Sequence, residues 1–221
     1  MSLRTTVFLL AFCSVSASAW GQAPSPGEAV MERQMDRLAG RLRAHPDLQS
    51  HVGPGFDRDS VGFTALAGLR KTDDTTVVAW FTGFGELLRF MDGPACAGMT
   101  KGKPTLESMT AIASKADSGT IARWLETWET SAVAFFLAPD RPEVDAEVMI
   151  AAVFALMADM PEESRGMLSG PEAKKKKPNP EEECRSMREF FTLAAAQKEP
   201  ERSTFFRGLA EQLGEPEGSD E

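Results

Sequence analysis

Residues Thr75–Met91 read TTVVAWFTGFGELLRFM, and the spacing of their apolar members decides the fold. Val77, Trp80, Phe81, Phe84, Leu87, Leu88 and Met91 follow one another in steps of 3, 1, 3, 3, 1 and 3, which sets all seven on one face of an α-helix. Asp73 or Asp74 stands where a side-chain oxygen can accept from the free N–H groups of the first turn. The same stepping recurs in Ser118–Leu137 through Ile121, Trp124, Leu125, Trp128, Ala132, Phe135 and Phe136. Arg123, Glu126, Glu129 and Thr130 lie off that face. No segment alternates convincingly with period two, so the chain is expected to be all-α.

A third helix is expected over Pro142–Ala158. Asp140 and Glu143 have the spacing of a capping box, and Asp145 and Glu147 add negative charge near the positive end of the helix dipole. From Val148 to Ala158 the run VMIAAVFALMA is wholly apolar. A helix without a wet face belongs inside a protein, and this one is too short for a membrane. It is therefore expected to be the buried central helix, with the others around it.

Further helices are expected over Gly27–Ala44, over Ser60–Lys71, after Asn179-Pro180 with the stripe Cys184, Met187, Phe191 and Ala194, and after Glu199-Pro200 with Phe206, Leu209, Ala210 and Leu213. Brief helices are expected at 94–99, 105–115 and 161–168, with Gly and Pro at the joints. Gly83 and Gly85 sit inside a helix with no strand before them, so they are not a dinucleotide turn. They are expected to let another helix approach closely. The whole amounts to one compact domain over residues 28–213, with about six main helices.

The N-terminus carries a different signal. Arg4, the apolar run Val7–Cys13 and then Ala17-Ser18-Ala19 match a secretory signal peptide spanning residues 1–19 and cut before Trp20. The apolar run is far shorter than the roughly 20 residues a bilayer requires, and no stop-transfer segment follows it. Phe12 stands where a lipidated Cys13 would need a small residue, so Cys13 is expected to leave with the signal. Residues 20–27 are expected to be loose, and residues 214–221, with no apolar member, to form a disordered acidic tail.

Loss of Arg4 leaves 23 of the 24 basic residues against 33 acidic ones, a formal charge of -10. Such a surface disfavours nucleic acid, because neutralising phosphates needs a basic face. The two remaining cysteines, Cys96 and Cys184, are most simply a disulfide in an oxidising compartment. Closing a loop of this length would stabilise by about 4 kcal/mol on the chain-entropy model.

Other constellations carry weaker chemistry. His45 and His51, with Asp47 and Asp57 nearby, have residue types that bind metals, but a spacing of six in a Pro- and Gly-containing loop does not converge them. No metal site or cofactor is therefore expected. The calcium-loop reading of Asp57-Arg58-Asp59 fails at Val61 and Gly68. There is no G-x-S-x-G elbow. Paired carboxylates for a hydrolase could hide among 33 acidic residues without leaving a motif.

Lys174, Lys175, Lys176 and Lys177, followed by Pro-Asn-Pro and three glutamates, form a basic run on an acidic chain. It is either a solvated loop or an electrostatic dock making weak contact with an anionic surface. These readings imply an exported helical protein of the periplasm or cell envelope, binding a protein partner as an inhibitor, immunity or chaperone type. The alternatives are a carboxylate hydrolase and a metal or small-ligand carrier using the 45–59 loop.

Overall fold

A computed structural model describes residues 26–94, 96, 116, 118–168 and 179–213. Eight α-helices follow one another within them: α1 Pro26–Ala44, α2 Arg58–Leu69, α3 Asp74–Leu87, α4 Ser118–Leu137, α5 Ala146–Asp159, α6 Glu162–Leu168, α7 Pro180–Ala196 and α8 Glu201–Leu213. Single 3₁₀ turns occupy Pro46–Leu48 and Leu88–Phe90. The described residues contain no strand, so the fold is all-α. The signal segment, the helix expected at 105–115, the four lysines and the C-terminal tail lie outside the described residues.

Short polar side chains fix where the helices start. Asp57 accepts from the Ser60 N–H, Asp73 from Thr76, Asp145 from Glu147 and Val148, and Asn179 from Glu181. Each satisfies backbone donors that have no partner inside the helix. Pro180 follows Asn179 at a position where its missing N–H costs nothing.

The axis of the domain is α3. Five of the seven striped residues, Val77 to Leu87, lie in α3, while Leu88 and Met91 fall in and just after the 3₁₀ turn that ends it; all seven are buried, and α4, α7 and α8 pack around α3. Trp80 lies 5.8 Å from Phe84, 5.5 Å from Trp124 and 6.4 Å from Trp128, centroid to centroid. The Trp124 Nε1–H donates to the Trp80 carbonyl at 3.2 Å. On the adjoining side Phe81 stacks on Phe206 of α8 at 5.2 Å, and Phe84 meets Phe191 of α7 edge-on at 5.3 Å.

These rings come together because the backbones can approach. A Cβ on Gly83 would stand 2.9 Å from the Trp124 ring, and one on Gly85 would stand 3.0 Å from Phe191 Cβ. The two glycines thus admit α4 and α7, as their place inside an amphipathic helix suggested. The crossing of α2 over α4 is tighter still. A Cβ on Gly68 would fall 1.9 Å from the Ser131 carbonyl oxygen.

The expectation of a buried central helix over 142–158 is overturned. The helix begins at Ala146, because Asp145 rather than Asp140 caps it. The preceding residues are held elsewhere: Asp140 pairs with Lys71, Arg141 donates to the Thr72 carbonyl, and the Val144 N–H donates to Glu211. It also lies on the outside. Only Met149 and Leu156 within it are buried, while Val148, Ile150 and Phe154 are 49%, 42% and 62% exposed. Full burial of a large apolar side chain is worth about 1.5–3 kcal/mol, so the helix with more such side chains to bury takes the centre. That helix is α3, whose stripe includes two bulky rings, Trp80 and Phe81, that are at most 2% exposed.

Two alanine substitutions in α2 test the account of the crossing, with opposite signs. Gly68→Ala should lower stability by about 3 kcal/mol, because the Ser131 backbone cannot step aside. Gly62→Ala meets nothing within 4 Å and should raise it by about 0.5–1 kcal/mol through helix propensity. Urea denaturation of the two variants checks both.

Candidate functional site

Cys96 and Cys184 come together as a disulfide with Cα atoms 5.4 Å apart, both fully buried. The bridge is one of several fastenings between the start of α7 and the segment after α3. The Gly93 N–H donates to Glu181 Oε1 at 2.8 Å. Arg188 donates through Nε to the Leu88 carbonyl at 2.9 Å and through Nη2 to that of Met91. Enclosed among these groups, the sulfurs are structural.

Three of the four residues named for a metal, His45, His51 and Asp57, have local partners for their side chains. His45 Nδ1 accepts from the Asp47 N–H at 3.3 Å and so caps the first 3₁₀ turn, while Asp57 caps α2. The His51 ring lies 5.7 Å from that of Phe136. Among the described residues no group of three His, Cys, Asp or Glu side chains is placed to share an ion.

A cleft of about 670 Å³ opens between the outer side of α3, the first half of α4 and the start of α8. Its floor is apolar, built from Val78, Ala79, Trp124 and Pro200, and three carboxylates border it, Asp74, Glu86 and Glu199. Two of them serve the fold. Asp74 receives Arg207, which is buried and also donates to the carbonyls of Arg70 and Thr72, and it pairs with Arg141 at 3.2 Å.

Glu199 accepts from Arg202 Nε and Nη2 at 2.9 and 2.8 Å and from the Ser203 N–H at 3.1 Å, so it caps α8. The hydrogen bonds from Arg202, then those from Ser203, hold its carboxyl below the usual glutamate range. A general acid near neutral pH needs the opposite shift. Thr120 and Thr127, also at the rim, bond to Arg123 and to the Trp124 carbonyl.

The remaining feature is the outer face of α5. Met149, Leu156 and Met160 form a narrow seam against the domain, with the Met149 thioether lying where Gly208 of α8 has no side chain. Ile150, Ala151, Phe154, Ala155 and Ala158 share the opposite face by helical spacing, and all five are exposed. From 142 to 164 the sequence holds six acidic residues and no basic one. The outer face of α5 thus presents a large exposed ring flanked by other apolar side chains, on a helix capped by Asp145.

Sequence reasoning had this helix and its composition but not its position. The cleft left no sequence signature, since its lining comes from three helices far apart in the chain. Lys174–Lys177 lie outside the described residues. Among the described residues no helix is long and apolar enough to cross a membrane. Comparison with protein-family models, with curated proteins and with solved structures finds no match.

The covalent tie and the caps give two expected outcomes. Reduction, or Cys96→Ala with Cys184→Ala, should cost about 4 kcal/mol of stability, read as a lower urea midpoint. Asp57 is depressed by hydrogen bonds from the Ser60 backbone and side chain, as Glu199 is by Arg202 and Ser203. Both folded-state values lie below the unfolded ones. Their contribution is therefore complete above about pH 5 and is lost as pH falls through the folded-state values. Asp57→Asn with Glu199→Gln should flatten the acid limb of a Tm-against-pH profile and leave its alkaline limb in place.

Proposed function

We propose that this chain is an exported binding protein of the periplasm or cell envelope, non-enzymatic, which meets a protein partner through the outer face of α5. The observation that carries the reading is the exposure of Ile150 and Phe154 on a helix that is capped, regular and seated by a separate apolar seam. Burying such side chains against a partner would recover the stabilisation they forgo in the free chain. The cleft supports the same reading from the other side, because Asp74 and Glu199 on its border are bound to the protein's own arginines and backbone.

Export rests on the sequence from Arg4 to Ala19, with its basic residue, short apolar run and small-x-small ending. A disulfide between Cys96 and Cys184 suits the oxidising compartment that such a signal leads to. A partner held by apolar contact resists salt, whereas one held by the run Lys174–Lys177 does not.

The test is affinity capture from an envelope extract of the source organism, using oxidised protein beginning at Trp20. A stoichiometric protein should remain on the native chain at high salt and be lost from the Ile150→Ser, Phe154→Ser variant. Capture that disappears at high salt, and again when Lys174–Lys177 become alanine, would move the contact to the lysine run. Retention of nothing at either salt overturns the reading.

A further inference from the structure

The binding reading leaves open what chemistry the α5 face accepts, and the charges around that face narrow it. Glu147 heads the apolar stripe and Asp159 stands near its far end, about 18 Å away along the helix axis. Asp145 lies just before the helix, and Glu162 and Glu163 just after it; all five carboxylates are exposed. Glu163 has Arg185 at 3.5 Å, while Asp159 and Glu162 make no ion pair among the described residues. The surface is thus an apolar strip of about three turns with exposed carboxylates at both ends, and at its far end the Arg165 guanidinium donates to the Ala158 and Met160 carbonyls at 2.9 and 3.0 Å.

Three occupants can be compared on charge. A second copy of the chain would bring Glu147 beside Asp159 if the two α5 helices ran antiparallel, and beside the second Glu147 if they ran parallel. Both put like charges together at the edge of the contact. An anionic bilayer meets the same objection, since interfacial helices carry Lys and Arg beside their apolar side, residues 142–164 carry none, and the flanking Arg141 and Arg165 donate to the carbonyls of Thr72 and of Ala158 and Met160. A helix with an apolar stripe and a basic residue at each end meets neither.

We infer that the α5 face takes a cationic amphipathic helix of a protein partner, with two Lys or Arg residues roughly twelve positions apart bracketing its apolar stripe. The stripe would lie over Ile150, Phe154 and the small side chains of Ala151 and Ala155, which let a second helix come near. The two basic residues would meet Glu147 at one end and Asp159 at the other. This inference rests on the binding function proposed above, but its test uses no natural partner.

The probes are three labelled synthetic helices of about 18 residues: one with a Leu and Ala stripe bracketed by lysines, one bracketed by glutamates, and one with the lysines kept and the leucines changed to serine. Fluorescence anisotropy is read on native protein, on Ile150→Ser with Phe154→Ser, and on Glu147→Lys with Asp159→Lys. Circular dichroism confirms that each variant is folded. The lysine-bracketed helix should bind native protein saturably, one to one, and at least about tenfold more weakly to either variant. The charge-reversed variant should instead gain affinity for the glutamate-bracketed helix.

Binding unchanged by Ile150→Ser with Phe154→Ser, or equal for the serine-striped helix, would mean general adhesion to an acidic protein and would overturn the inference. So would the absence of saturable binding. A native-protein dimer in sedimentation that Phe154→Ser dissociates, or preferential binding to phosphatidylglycerol vesicles, would replace the occupant by a second copy or a bilayer. If capture from envelope extract succeeds while the lysine-bracketed helix fails, binding stands and only the partner's chemistry falls. The converse result leaves the surface chemistry standing without the proposed role.

Discussion

The crowding of aromatic rings along α3 is the constraint from which the other packing choices follow. Trp80 touches Phe84, Trp124 and Trp128, and Phe81 touches Phe191 and Phe206, so one helix presents rings to three others. Rings make these contacts only over centroid separations of about 4.5–7 Å, which the facing helix axes must respect. Gly83 and Gly85 remove the side chains that would hold α4 and α7 away. Once those helices are seated, the space around α3 is filled, and α5 is left outside.

The two flanks of the domain are held in different ways. The start of α7 is joined to the segment after α3 by a covalent bond, by Arg188 across two carbonyls and by Glu181 on the Gly93 N–H. On the other flank, α5 rests on a seam whose largest contributions are Met149 and Leu156. A methionine side chain can take several shapes at small cost, so that seam can accommodate small shifts of the helix. The domain thus has one flank fixed by a covalent bond and another held by a deformable apolar seam.

The helices of this fold are legible because stripe and cap agree. In α3 and α4 the apolar period, the Asp73 cap and the off-face charges all point to the same orientation. Asn179-Pro180 does the same for α7. The pairing of Cys96 with Cys184 was legible as the simplest use of the two cysteines that lie beyond the N-terminal apolar run. The position of α5 is a different matter. An all-apolar run states that its surface should be covered, and the same residues would be written whether the cover comes from the chain's own helices or from another molecule. Competition for the centre depends on ring volumes across the whole core, which no local window contains. The cleft was illegible for a related reason: Asp74, Arg207 and Arg141 are gathered from three distant parts of the chain, and the hydrogen bonds that lower Glu199 exist only once α8 has formed.

Arg207 also bears on how the domain assembles. It reaches from α8 back to Arg70, Thr72 and Asp74, at sequence separations of 137, 135 and 133 residues, and its neighbour Phe206 completes the ring stack on Phe81. In many helical proteins each helix packs on the next, and folding can proceed stepwise along the chain. Here the joint between α2 and α3 is completed by residues from far along the chain, Arg207 and also Arg141, which donates to the Thr72 carbonyl and pairs with Asp74. The long loop closed at this joint is held by Arg207 together with the apolar burial of Phe205, Phe206 and Ala210, and the entropy of closing it grows only slowly with its length.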